Sequence, residues 1–362
     1  MTDKTVFNFG AGPAMLPHDV MIQVQNELLD WNGTGISVIE MSHRSKEFLS
    51  IVEQAETDLR EILSIPDNYK ILYVAGGATA MMSMVPLNLL ANDETGDYLV
   101  TGSWSKKAFN EAKRLANTNL VADSGEDKYF IIPDPAKWEI SNNSAYLYYT
   151  DNETITGVEF DNIPLAGNVP LVCDMTSNFL SRPFDVSLYG IAFASAQKNF
   201  GPAGLACVVI REDLIGKAGP KTPFLCDFKI YSDNDSLFNT PPTFSWYMAG
   251  LIYKWIKQHG GLKVMDQRAK TRSEKLYSEI DGGEFYSNPI KENFRSRMNV
   301  PFILKDNELD KIFLSEAREV DLIELKGHRS VGGMRASIYN GMPMEGVDTL
   351  VDFMRDFEKR YG

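Results

Sequence analysis

The chain has 362 residues, with 36 Lys and Arg against 49 Asp and Glu, for a net charge of −13. A surface of that sign repels anions in bulk, which argues against nucleic acid or an anionic membrane as a partner. Hydrophobic residues at 44% and charged residues at 23% are the proportions of an ordinary globule, and the length favours two domains over a single core.

In chain order, Val20 to Leu29 and Phe48 to Leu63 carry helical amphipathic periodicity. Between them His43-Arg44 places an imidazole beside a guanidinium. Tyr69 to Val74 reads as a strand, and Ala75-Gly76-Gly77-Ala78-Thr79-Ala80 then opens a helical stretch. Glycines let a backbone approach an anion, and free amides with the helix dipole supply the positive end. Any tight strand-to-helix turn tolerates Gly-Gly, so the turn alone is a weak signal. Neither the P-loop spacing nor GxGxxG is present, which disfavours nucleoside triphosphate and dinucleotide sites. Leu99-Val100-Thr101 ends another strand, followed by Trp104, which can stack on a flat ring or simply fill a core. Tyr148-Tyr149-Thr150 ends a further strand, with the Thr154 hydroxyl shortly beyond.

Asn168 to Cys173 is a short apolar run ending in Asp174, and Gly190 to Gln197 is a second, ending in Lys198 ahead of Asn199-Phe200-Gly201-Pro202. Such runs fit buried strands of a parallel sheet, whose carboxyl ends gather ligands. A lysine desolvated there loses its preference for the ammonium form and can condense with an aldehyde. A carboxylate there can hold a pyridine nitrogen protonated. Taken singly, Asp174 is better read as a helix cap and Lys198 as a turn lysine. Together they point to pyridoxal 5′-phosphate, and five strand ends bearing polar or aromatic groups agree with it.

Cys207 to Ile210 reads as one more strand, and Ala218 to Thr243 as a long loop containing Asn239-Thr240-Pro241-Pro242. A helix-rich link from Phe244 to Arg272 leads into a smaller α+β region that carries His328-Arg329 and, close behind, Arg335. An acidic chain that binds an anionic substrate must concentrate cations locally, and arginine suits carboxylate or phosphate through its planar fork. Two of only four histidines stand directly beside an arginine, although a solvated loop explains one such dipeptide equally well. The alternation of strands and helices from about Asp19 to Gln258 predicts an α/β fold with a mostly parallel sheet covered on both faces. The expected division is a large cofactor-binding domain over 16–258 and a small domain formed by 1–15 and 259–362. Cys173, Cys207 and Cys226 are few and scattered, which fits thiols in a reducing cytoplasm, and no metal-ligand spacing is present. No apolar run approaches the roughly 20 residues that span a membrane, and no secretory leader opens the chain.

On Phe7 to Pro17, Met41-Ser42-His43-Arg44-Ser45, Gly76-Gly77-Ala78, Val85 to Leu90, Ser195 to Asn199, Gly327-His328-Arg329 and Gly333 to Pro343, the chain resembles the phosphoserine aminotransferase family. These are class V aminotransferases of the fold type I superfamily, and the likeness runs nearly end to end. It implies a large domain with a mostly parallel sheet and a smaller C-terminal α+β domain. It also implies transamination between L-glutamate and 3-phosphohydroxypyruvate in serine biosynthesis, and leaves open a related phosphorylated 2-oxo acid of vitamin B6 synthesis. By the same resemblance Lys198 would carry the cofactor as a Schiff base, Asp174 would pair with the pyridine nitrogen, and Trp104 would stack on the ring. Thr154 would bond the ring hydroxyl side, and Ala78, Thr79 and Gln197 would line the phosphate. Asn239 and Thr240 of a second subunit would join them, which makes the expected assembly a homodimer with shared active sites. Arg335 would take the substrate α-carboxylate, and His43, Arg44, His328 and Arg329 the distal anion. Ala11 and Thr79 depart from relatives that carry serine and arginine there. A cysteine desulfurase of the same fold would need a reactive cysteine on a mobile loop, and only Cys226 lies in a loop-like stretch. A dehydrogenase lacks its glycines here, and a non-catalytic binding protein would leave Lys198 and Asp174 without joint purpose.

Overall fold

A computed structural model describes residues 5–91 and 93–362. A two-residue strand β1 (Phe7–Asn8) and helices α1 (His18–Glu27) and α2 (Lys46–Leu63) precede β2 (Tyr69–Ala75), α3 (Gly77–Leu89) and β3 (Thr95–Val100). Then come α4 (Ser103–Leu115), β4 (Thr118–Asp123), β5 (Ser144–Thr150) and a small hairpin of β6 (Asn152–Glu153) and β7 (Val158–Glu159). β8 (Leu171–Asp174), β9 (Ile191–Ser195) and β10 (Leu205–Arg211) follow, and then helices α5 (Phe228–Asp233), α6 (Thr243–Gln258) and α7 (Gly261–Asp281). The chain closes with β11 (Tyr286–Ser287), β12 (Asn299–Leu304), α8 (Asp310–Glu319), β13 (Leu322–Ile323), β14 (Met334–Ser337) and α9 (Met344–Tyr361).

Seven strands form one sheet in the order β2-β10-β9-β8-β5-β3-β4. All its neighbouring pairs are parallel except those of β10, which runs antiparallel to both β2 and β9. The expected mostly parallel sheet is therefore present, with the strand after the lysine turned against the rest. Helices cover both faces. On one, α2 buries Phe48, Val52, Ala55, Leu59 and Leu63 at helical spacing against α6. On the other, α3 and α4 pack Met81, Val85, Leu89, Ala108 and Ala112 against Val74, Tyr98 and Tyr148. β8 and β9 are buried along their whole length, which explains their unbroken apolar sequence. A third core gathers Phe7, Phe9, Leu276, Ile280, Phe302, Phe313 and Met354 around β11, β12, β14, α8 and α9.

One expectation is corrected. Ala218 to Thr243 is not one loop: α5 lies within it, capped by Asp227, whose side chain accepts from Lys229 N, and buries Phe228 and Tyr231. The helix-rich link is present as two helices, α6 and α7, separated where Gly260 takes a left-handed backbone (φ 93°). The three cysteines are free; Cys173 and Cys207 are buried and Cys226 only partly so. Among the described residues no helix is long and apolar enough to cross a membrane.

Candidate active site

Because β8 and β9 are parallel neighbours, Asp174 and Lys198 emerge at the same end of the sheet. Both are nearly closed off from solvent, at 3% and 7% exposure. Lys198 Nζ hydrogen-bonds Thr154 Oγ1 and lies 5.6 Å from the centre of the Trp104 ring. Burial pulls the lysine amine down to about 8, against an opposing pull from Asp174, while Arg335 pushes the same way as burial. Burial raises the Asp174 carboxyl, opposed by hydrogen bonds from Thr176, whose N–H donates at 2.8 Å, and by the Lys198 charge.

Trp104 is held in place through its backbone. Its N–H donates to Glu153 Oε2 at 3.0 Å, and Ser105 donates to Oε1 from its N–H at 2.8 Å and its hydroxyl at 2.6 Å. This buried carboxylate thus occupies the N-terminus of α4, where the helix dipole favours a negative charge. It fits only because residue 102 is glycine: a Cβ there would stand 2.2 Å from the Glu153 carboxyl carbon.

At the end of β2, Gly76 adopts φ 97° and turns the chain straight into α3, leaving the first amides of that helix without intrahelical partners. No acidic side chain lies in the first turn of α3 to neutralise them. Ser195 Oγ, hydrogen-bonded to Gln197 Oε1, stands against Gly77, where a Cβ would come within 2.6 Å of it.

These features line one cavity of about 380 Å³, within the roughly 300–1,000 Å³ of small-molecule sites. It brings together Ala78, Thr79, Trp104, Thr154, Asp174, Gln197 and Lys198, seven of the expected residues. Arg335 does not line it but reaches its edge, with Nη1 3.4 Å from the Thr154 carbonyl. His328 is drawn down in pKa by partial burial and by the charges of Arg335 and Arg329, so the three stand close together. His43 is half-buried with Nε2 unpartnered, and Arg44 is exposed; neither lines the cavity. Asn239 and Thr240 are exposed and also lie outside it. Sequence reasoning gave no role to Glu153, Asn152, Ser177 or Ser195. Asn152 donates to Ser177 Oγ at 2.8 Å, and both line the cavity. The signal available for Glu153 was a carboxylate between two strand signals with no basic neighbour in sequence.

A cavity that joins helix-terminal amides, a desolvated amine and a buried carboxylate fits a flat phosphorylated aldehyde. Trp104 Nε1, Thr150 Oγ1 and Asn152 Oδ1 are buried there without hydrogen-bond partners, as expected of groups that await a polar occupant. Fold and site together define a pyridoxal phosphate enzyme of the fold type I class. Residues 6–350 match the model of the class V aminotransferases, and the chain belongs to that family. It is 52% identical over 358 residues to the phosphoserine aminotransferase of Pseudomonas entomophila, with 99% of each chain covered. It is 53% identical to that of Hahella chejuensis, again with 99% of each covered. In structure it is similar to a phosphoserine aminotransferase from Bacillus circulans subsp. alkalophilus (TM-score 0.97, 41% identity, 99% of both chains covered). A pyridoxal phosphate-bound phosphoserine aminotransferase from Trichomonas vaginalis superposes with a TM-score of 0.94 at 43% identity, covering 97% of this chain and 100% of that one. The family expected from the motifs is the family found, and its cofactor is pyridoxal 5′-phosphate.

Proposed function

We propose that the chain transfers the amino group of L-glutamate to 3-phosphohydroxypyruvate, giving O-phospho-L-serine and 2-oxoglutarate in serine biosynthesis. The observation that carries this reading is the single cavity joining Lys198, Asp174 and the α3 amides, in a chain 52% identical to a phosphoserine aminotransferase. When bound, pyridoxal phosphate supplies an electron sink and a temporary seat for the amino group. Lys198 Nζ would hold it, and as a free amine would take the proton from the substrate Cα and return it within the site. Its lowered pKa keeps a neutral fraction available near neutrality. Asp174, whose carboxyl burial raises, would be the partner that keeps the ring nitrogen protonated. Thr154 would bond the ring hydroxyl side and Trp104 would stack on the ring. The α3 amides, with Ala78, Thr79 and Gln197, would hold the phosphate.

Arg335 takes the substrate α-carboxylate, its Nε being buried and unpartnered. His43, Arg44, His328 and Arg329 take the distal anion, a carboxylate in one half-reaction and a phosphate in the other. Imidazoles suit that exchange because their charge can follow the ligand's. Asn239 and Thr240, which lie outside their own chain's cavity, complete the phosphate site of a second copy in a homodimer. The separate cores support a large unit over 16–258 and a small one of 1–15 with 259–362, of which residues 1–4 lie outside the described residues. Leu262 and Met265, at the start of α7, nevertheless pack in the larger core. Free thiols fit a cytoplasmic enzyme.

Absorbance spectroscopy tests the reaction. Purified protein should show a visible cofactor band that glutamate bleaches and 3-phosphohydroxypyruvate restores, and Lys198→Ala should show neither change. A band that ignores glutamate would overturn the transamination. A protein that takes up no cofactor on reconstitution would overturn the site. Light scattering on the eluting species tests the homodimer.

A further inference from the structure

A second cavity, of about 450 Å³, lies where α1, α6, α7 and the segment before α9 meet, and it shares no lining residue with the first. His18, His259, Arg268 and Arg272 line it, with Asp19 as its one carboxylate. Arg272 is 3% exposed. Its Nη1 donates to the Met342 carbonyl at 2.5 Å and lies 3.5 Å from that of Asn340, but Nε and Nη2 have no partner. Among the described residues no carboxylate forms an ion pair with it. Arg182 offers the contrast, its guanidinium met by Asp151 at 2.8 Å and Glu159 at 3.5 Å. Burial, and then the neighbouring Arg268 charge, draw Arg272 down to about 10, so it stays charged at neutral pH. A buried charge left without a counter-charge is strongly unfavourable. In an acidic chain, two guanidiniums against one carboxylate around one small space are also a local reversal of sign.

We propose that this cavity is a binding site for a small phosphate-bearing dianion. Two free nitrogens of a planar guanidinium, with a second arginine beside them, match the tetrahedral oxygens of phosphate. Two arginines against one carboxylate leave positive charge for a dianion to neutralise. The bound ligand would brace residues 340–344, whose Asn340 N–H donates at 3.0 Å to Asn199 Oδ1, next to Lys198.

The test is calorimetric titration of inorganic phosphate into phosphate-free holoenzyme. Saturable binding is expected, retained in Arg329→Gln, an exposed change at the distal-anion end of the proposed substrate pocket. It should weaken about tenfold or more in Arg268→Gln, an exposed position that leaves the fold and cofactor spectrum intact. Arg272→Met, if it folds, should abolish it. Unchanged affinity in Arg268→Gln, loss in Arg329→Gln, or tighter binding of succinate than of phosphate would each overturn the proposal.

Discussion

At the residue scale, chemistry at this site turns on two groups whose pKa values burial moves in opposite senses. A lysine amine near 8 rather than 10.5 is partly neutral under ordinary conditions. Capture of pyridoxal phosphate by the apoenzyme requires the neutral amine. Its rate should climb as pH rises towards 8 and level off above it, as stopped-flow absorbance would record. The same shift makes the apoenzyme gain stability as pH rises from about 8 to 10.5, the window in which the unfolded chain holds the extra proton. Lys198→Ala should lower transamination by about 10²–10⁴-fold or more, since the group proposed as both anchor and proton carrier is lost. Lys198 and Asp174 were legible because each ends an apolar run, where a charged residue has no packing reason to stand. Glu153 was not, because its three donors come from α4, far away in sequence. Glu153→Gln replaces one acceptor oxygen by an NH₂ facing donors, leaving a buried group unsatisfied at about 1–3 kcal/mol. Chemical denaturation should show that loss, together with weaker cofactor retention as Trp104 is released.

At the element scale, the catalytic end of the sheet depends on how strands hand over to helices. The β2–α3 turn could be read from Gly76-Gly77 because its geometry is local: one positive φ, then a helix. The β3–α4 turn looks ordinary in sequence, since Gly102 is extended and demanded only by Glu153 pressing against it. Gly102→Ala should therefore be among the more damaging single-methyl changes in the chain. Overpacking of about 1–3 kcal/mol is expected, with the site losing its Trp104 backbone clamp. Thermal unfolding, read beside the cofactor absorbance, measures both. Gly204→Ala makes a useful contrast, because a Cβ there meets no protein atom and only the positive φ of 109° resists it. The elements that sequence missed are short. α5 has six residues inside a polar, proline-bearing stretch, and β6 and β7 have two each, too few for any periodicity to register.

At the scale of the whole molecule, alternation of strand and helix was enough to specify a covered, mostly parallel sheet. The way the sheet side meets the C-terminal core was not legible, since it is a polar seam built from scattered residues. Asn152 donates to Asn299 Oδ1 at 2.8 Å, and Asn299 in turn donates to Ser337 and Tyr339 at 3.0 Å. Beside it Arg297 meets Glu159 at 2.9 Å and Asp266 at 2.7 Å, while Arg182 joins Glu159 to Asp151. Burial alone would raise the Glu159 carboxyl, but Arg297 and Arg182 outweigh it and hold the group below its ordinary 4.5. Its stabilising contribution is therefore fully present above the unfolded value and lost as pH falls through the folded one. Asp151 pulls the other way, its burial outweighing Arg182 and raising its carboxyl, so acid unfolding of the wild type alone reports a mixture. The difference between wild type and Arg297→Met reports on Glu159, with the lost Asp266 pair as a smaller, more exposed contribution. Leaving that buried carboxylate with half its cationic partners should destabilise by up to about 3–5 kcal/mol at neutral pH, less whatever solvent screens at the partly exposed Arg297. The gap should narrow as pH drops below 4.5 and Glu159 takes up a proton in both proteins. Urea denaturation of the holoenzymes at a series of pH values would show this convergence. A gap that stayed constant into acid would mean that Arg297 stabilises the seam by packing rather than by charge.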